Sequence, residues 1–296
     1  MRSIRCFIKA RVVLRGKVLH LTLISYFYTR GCYLDFIILV GPAGSGKSTL
    51  TGELAGHIES YGPVVAKVNF DPAAENLSYD ADVDVRRYVT VYEFMAKGLG
   101  PNGALVSAID SLINYVFDIR GILEDIKPDY VIIDTPGQME LFAYRHGGPV
   151  VLDALTHGYN SIIVFLMDAI FFENPASIVS ILTLASSVAV RLGRPQINIV
   201  SKADLLLPEV IDNVISRLGE EGFLESLISS SENIDIYTRA LMLSLASSLY
   251  DAGFIGEVIP VSVNQPESLD ALYAKIQQLL KCGDEYKYYD LRYERS

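Results

Sequence analysis

The chain contains no tryptophan and only three cysteines in 296 residues. Cys6, Cys32 and Cys282 are odd in number and include no C-x-x-C. That argues against a disulfide framework or a cysteine zinc site and fits a reducing compartment, the cytoplasm. His20, His57, His146 and His157 stand alone, with no pair at metal-ligand spacing. Positive charge is scarce too: 25 Lys and Arg face 35 Asp and Glu, a formal net charge of −10. Residues 1–34 hold seven of the basic residues and no acidic one, so the remainder is more acidic still. Binding to nucleic acid through counterion release needs a basic face, so nucleic acid is not an expected partner. An acidic body remains compatible with basic protein partners.

The basic start, "MRSIRCFIKARVVLRGK", runs into the apolar "VLHLTLISYFY". The pair resembles the first two regions of a signal peptide. The apolar run is too short and interrupted to span a bilayer, and no small-residue cleavage site separates it from Phe36. No membrane association is expected. Residues 1–34 read as an extension outside the fold, or as upstream sequence absent from the mature protein, with a natural start near Leu34.

From residue 35 onward, apolar runs and helical patterns alternate regularly. "DFIILV" (35–40), "PVVAKVNF" (63–70), "DYVIIDTPG" (129–137), "SIIVFLMDA" (161–169), "QINIVSKAD" (196–204) and "GEVIPVSV" (256–263) read as strands. Their continuous apolar runs are those of strands covered on both faces. Helical patterns lie between, over 48–62, 91–97, 102–125, 175–192 and 268–280. Residues 72–90 show no clear period. The fold class is α/β: a doubly wound, mostly parallel sheet, with a helical insertion near 205–255. One domain spans 35–283, and 284–296 form a polar, tyrosine-rich tail.

Ligands of such sheets bind at the carboxyl ends of the strands, where the unusual residues cluster. "GPAGSGKST" (Gly41 to Thr49) matches G-x-x-x-x-G-K-[ST] between a strand and a helix. Gly41, Gly44, Ser45, Gly46 and Thr49 belong to a loop whose amides curl around phosphates, and the helix N-terminus adds partial positive charge. Lys47 is placed for the β- and γ-phosphates and Ser48 for Mg²⁺. In "VIIDTPGQ", Asp134 suits an Mg²⁺ contact. Gly137 can offer its amide to a γ-phosphate and move when that group leaves, and Gln138 can orient the attacking water. In "SKAD", Asp204 can accept from both N1–H and the 2-amino group of guanine, whereas adenine would leave that carboxylate unpaired. Lys202 can lie along the base through its stem, and Val263 in "PVSVN" can back the base. As a bland alternative, Asp204 is a helix N-cap. Asp71, in "NFDPA", fits either an Mg²⁺ or water-positioning role or an ordinary Asp-Pro turn. Asp82, Asp84 and Arg86 fit a salt network or a partner surface. "GLGPNGAL" (98–105) by itself is a helix-entry turn with Asn102 as N-cap.

Taken in order, G-x-x-x-x-G-K-S, "DPA", "DVDVR", "GPN", "DTPGQMELF" and "SKAD" resemble the GPN-loop GTPases, a dimerising branch of the P-loop NTPases. The likeness covers residues 36–280, and Gly100-Pro101-Asn102 is its most specific mark. Pro42 stands where MinD-like ATPases carry an extra lysine, and Ser201 stands where Asn is commoner in the base motif. The resemblance implies GTP and GDP as ligands, Mg²⁺ as cofactor, and a homodimer whose tripeptide loop reaches into the partner's site, with Asp71, Asn102 and Gln138 as catalytic candidates. It also implies a nucleotide switch in the assembly or transport of protein complexes, which in eukaryotic relatives is RNA polymerase. Alternatives are a scaffold that binds GTP without hydrolysing it, a P-loop ATPase, or a metallochaperone-type GTPase.

Overall fold

The computed structural model describes residues 4–14, 17–27, 34–232 and 234–293. The chain divides into two compact units, Met1–Tyr33 and Leu34–Ser296. In the first, β1 (Ile4–Leu14) and β2 (Lys17–Phe27) pair antiparallel, with Ile4 opposite Phe27 and Leu14 opposite Lys17. No element was expected there from the sequence.

The second unit begins with β3 (Asp35–Val40), α1 (Lys47–Glu59), β4 (Val65–Asn69) and the short β5 (Val83–Asp84). Then come α2 (Val91–Met95), α3 (Pro101–Ser111), α4 (Val116–Ile126), β6 (Tyr130–Asp134), α5 (Met139–Ala143) and α6 (Gly147–Thr156). β7 (Asn160–Asp168), α7 (Pro175–Leu192) and β8 (Gln196–Ser201) lead to α8 (Pro208–Asn213), α9 (Phe223–Ser229) and α10 (Ile236–Asp251). The last elements are β9 (Ile259–Val261) and α11 (Pro266–Tyr293). The seven strands of the sheet run in the order β5-β4-β6-β3-β7-β8-β9, all parallel.

β3 lies at the centre, with Ile37 level with Ile132 of β6 and Ile162 of β7. Side chains alternate across the sheet. Ile37 and Leu39 pack with Leu54 and Ile58 of α1 and Ile276 of α11. Phe36, Ile38 and Val40 join Ile133, Phe165 and the helices α3, α4, α6 and α7 on the other face. Two covered faces explain the unbroken apolar run. α7 is long and apolar enough to cross a membrane by composition, but Ile178, Ile181, Leu182 and Val188 are buried in this core.

Local signals set the helix ends. Asn174 accepts a hydrogen bond from the Ser177 amide at 2.9 Å, Pro175 fills the first position of α7, and Gly193 at φ 61° closes it. Asp235 caps α10 through the amides of Tyr237 and Thr238.

Four details depart from the sequence reading. The helix expected over 102–125 is broken by a 3-10 turn, Leu112–Tyr115. There Ser111 donates back to the Ser107 carbonyl at 2.8 Å, and Asn114 to that of Ser111 at 3.1 Å, competing with the helical ladder. Helices α5 and α6 were not expected, because a Gly-Gly-Pro run reads as a loop. β5 was missed because a two-residue strand has no detectable period. α11 runs on through Gly283 to Tyr293, where a separate tail was expected from residue 284.

Phe165 is fully buried and Val190 is 85% exposed. Phe165→Ala should cost about 3–5 kcal/mol by the cavity it leaves, read as a lower urea midpoint at unchanged slope. Val190→Ala should stay within about 0.5 kcal/mol. Equal effects would mean that this face of the sheet is not the core.

Candidate active site

Between β3 and α1 the chain turns through Gly41 to Gly46. A side chain at Gly41 would place its first carbon 2.6 Å from the Leu166 carbonyl oxygen, so only glycine lets β3 and β7 close there. Gly44 and Gly46 take φ of 77° and 89°, a region where other residues are strained. The turn is held by the Ser45 amide donating to the Pro42 carbonyl at 3.2 Å. α1 then starts at Lys47 with no side-chain cap, leaving its first amides to meet an anion. The Lys47 ammonium donates to the carbonyls of Gly41 at 2.8 Å and Pro42 at 3.0 Å, two of its three donors. Burial lowers its pKa, opposed by the carboxylates of Asp134, Asp71 and Glu140. The Ser45 hydroxyl is buried with no hydrogen-bond partner among the described residues. A glycine cradle with an unmatched hydroxyl beneath it fits a polyphosphate.

Carboxylates arrive from two strand ends. Asp134, the last residue of β6, is buried and accepts from Ser48 and from the Tyr79 phenol, the latter at 3.2 Å. Burial pushes its carboxyl up, opposed by Ser48 and the Lys47 charge. Tyr79 is itself raised, by burial and the neighbouring carboxylate, and so remains a donor. Asp71, beyond β4, accepts from the Ala73 amide at 2.8 Å through one oxygen and from the Gly137 amide at 3.3 Å through the other. The first contact is the turn expected of Asp-Pro. The second ties the loop after β4 to the loop after β6. Lys47, Ser48, Asp71, Asp134 and Gly137 border one cavity of about 360 Å³. A hydroxyl and two carboxylates form a hard oxygen donor set that suits Mg²⁺ once waters and phosphate oxygens complete it.

Gln138 is exposed, immediately before α5. With Asp71, Gly137 and Pro101 it borders a second cleft of about 280 Å³. Gly100, not Asn102, is the N-cap of α3, and Pro101 fills the first helical position. Asn102 is exposed and lies outside the lining of that cleft. The structure therefore brings Asp71, Gln138 and Pro101 together but leaves Asn102 apart.

The third region is a cavity of about 250 Å³ between the phosphate loop and the ends of β8 and β9. Thr49, Ser201, Lys202, Asp204 and Val263 all border it. Lys202, at φ 57°, donates to the Gly44 carbonyl at 2.7 Å and to Asp168 at 2.6 Å. Its stem lies against Gly46. Asp204 sits in a 3-10 turn, Ala203–Leu205, and accepts from the Asn264 amide group at 3.4 Å. The Ser201 hydroxyl donates to the Met167 carbonyl at 3.2 Å.

Sequence reasoning missed Tyr79 and Asp168, one in a stretch without periodicity and one at a strand end, and it missed the side-chain contact of Asn264 within "PVSVN". Asp168 ends β7, a position that itself pointed to the site. Of the two roles open to Asp84 and Arg86, the structure shows the salt network. Arg86 bridges Asp84 at 2.6 Å and donates to the carbonyls of Ala74 and Glu75. Burial notwithstanding, hydrogen bonds from Arg86 and Asn69 hold the Asp84 carboxyl below its ordinary value. Asp82 instead accepts from the Lys67 amide at 2.8 Å.

A family model described as "Conserved hypothetical ATP binding protein" matches residues 39–282. GPN-loop GTPase 3 of Dictyostelium discoideum is 34% identical over 258 residues, 84% of this chain and 87% of that one. The GPN-loop GTPase PAB0955 of Pyrococcus abyssi is 38% identical over 175 residues, 58% of this chain and 69% of its own. The crystal structure of PAB0955, a GTPase in apo form, matches with a TM-score of 0.72 at 28% identity, covering 83% of this chain and 97% of that one. Fold and site define a P-loop nucleoside triphosphatase. The chain belongs to the GPN-loop GTPase family.

Because Asp204 faces a cavity sized for a base, GTP should outbind ATP by about 10²-fold or more. Asp204→Asn should narrow that gap and let xanthosine triphosphate compete. Equal affinities for ATP and GTP in a titration of the unaltered protein would refute guanine recognition.

Proposed function

We propose that this protein hydrolyses GTP to GDP and phosphate with Mg²⁺, as a homodimer. Its nucleotide state would switch the assembly or transport of protein complexes in the cytoplasm. The observation behind the chemistry is the meeting of Asp71 and Gly137 where two cavities adjoin. Both residues border the phosphate cavity and the cleft that holds Gln138. A water in that cleft has a carboxylate to receive its proton and a side-chain amide to orient it, the positioning that phosphoryl transfer asks of a protein. Ser48, Asp134 and Asp71 would hold Mg²⁺, which supplies charge neutralisation at the β- and γ-oxygens. The Gly137 amide now donates to Asp71 and has a γ-phosphate oxygen as its alternative acceptor. That is the property wanted of a switch residue.

The dimer reading rests on the surface around the tripeptide. Tyr92 (59% exposed) and Met95 of α2 and Leu99 (41% exposed) place apolar area in water on the approach to Gly100-Pro101-Asn102. Asn102 stands outside its own chain's cleft, which supports a role in a second subunit's site. For the client, the support is the family resemblance together with the acidic composition; it favours a protein complex of the RNA polymerase type.

Lys47→Ala should abolish tight nucleotide binding. Gln138→Leu should leave binding nearly intact and slow phosphate release on the order of 10²-fold. Equal loss of binding in both would make Gln138 structural, and no phosphate release from the unaltered protein would make it a scaffold.

Asn102→Ala should depress turnover with little change in GTP affinity. A mixed dimer of Asn102→Ala with Lys47→Ala should recover turnover, since the second subunit lends its intact loop. Absence of recovery, once mixed dimers are shown to form, would return the tripeptide to an ordinary turn.

A further inference from the structure

One side chain of the stretch without periodicity, residues 72–90, reaches the carboxylate side of the site without belonging to any motif. Tyr79 lies midway through residues 72–90. Its phenol donates to Oδ2 of Asp134 at 3.2 Å, and Ser48 donates to the same carboxylate. Its Cβ packs closely against α1 at Gly52. A first carbon there would stand 3.2 Å from the Tyr79 Cβ and 3.8 Å from the Ser78 carbonyl oxygen. The base of the same segment is tied independently by Arg86, through Asp84 and the carbonyls of Ala74 and Glu75, and by Asp82 on the Lys67 amide. Val83 and Val85 seat the end of the segment in the core, and Tyr79 is the side chain by which it meets Asp134, a carboxylate that borders the candidate cation site.

We propose that Tyr79 is a positioning residue for the divalent cation, fixing the Asp134 carboxylate beside Ser48 through its phenol. The inference rests on Mg²⁺-dependent GTP hydrolysis as the function and adds a residue to it. A carboxylate offers about four lone-pair sites. One neutral donor on Oδ2 therefore sets its rotation and leaves room for a cation. Outer-shell hydrogen bonds of this kind are worth about 10–100-fold in metal affinity. A bland reading also exists, in which a partly buried tyrosine has merely found an acceptor for its hydroxyl. The two differ in what the hydroxyl's removal changes.

The test monitors release of methylanthraniloyl-GDP from the full-length protein as Mg²⁺ is titrated. Tyr79→Phe keeps the ring and should raise the Mg²⁺ concentration at half-effect by about 10-fold. The GDP affinity in excess EDTA and the melting temperature should stay unchanged. An unchanged midpoint in Tyr79→Phe overturns the assignment. So does a lowered midpoint in Tyr79→Phe, which would make the phenol a competitor of the cation. Nucleotide release from the unaltered protein that ignores Mg²⁺ altogether would instead overturn the Mg²⁺-dependent reading, and is distinguishable because it precedes any substitution.

Discussion

The site depends on one close approach: the carbonyl of Leu166 lies where a side chain at position 41 would be. That contact seats the start of the phosphate loop against β7, the strand beside β3. Because β3 is central, the loop emerges at the middle of the sheet's carboxyl edge. β6 delivers Asp134 on one side and β7 delivers Asp168 on the other. β4 and β8, one strand further out on each side, deliver Asp71 and Lys202. A parallel sheet turns distance along the chain into neighbourhood at one edge, and residues as far apart in sequence as Lys47 and Asp204 come to border adjoining cavities.

The sheet was legible because its strands are covered on both faces and therefore apolar without interruption. The insertion between β8 and β9 was legible for the opposite reason, as helical spacing with no strand. What escaped was short or unfavourable by composition. β5 has two residues, and α6 opens with Gly147-Gly148-Pro149, a sequence that signals a loop. Tertiary packing overrides that signal. A side chain at Gly147 would strike Asp110 of α3, and one at Gly148 would strike the Phe142 carbonyl of α5. Both positions lack side chains because three helices converge there. Contact information of that kind leaves no periodic trace.

The motifs divided in the same way. Glycines and the lysine of the phosphate loop are recognisable because backbone geometry demands those residue types at fixed spacing. Tyr79 and Asn264 each meet a site carboxylate through one side-chain hydrogen bond, from segments whose paths no local rule dictates. Of the two readings of Asp71, the structure shows the turn: one oxygen accepts from the Ala73 amide, and the other accepts from the Gly137 amide. For Asn102 the helix-cap reading fails, since Gly100 takes the cap.

Lys202 has a consequence for how selectivity is built. Its ammonium bonds the Gly44 carbonyl and the Asp168 carboxylate, while its stem covers Gly46. The loop that carries Asp204, beside the third cavity, is thus fastened to the phosphate loop by one flexible cation. Recognition at the two ends is not a sum of independent free energies, because contacts sharing a partner are non-additive. A substitution at Lys202 would disturb both cavities together, and its cost would not divide into one share for each.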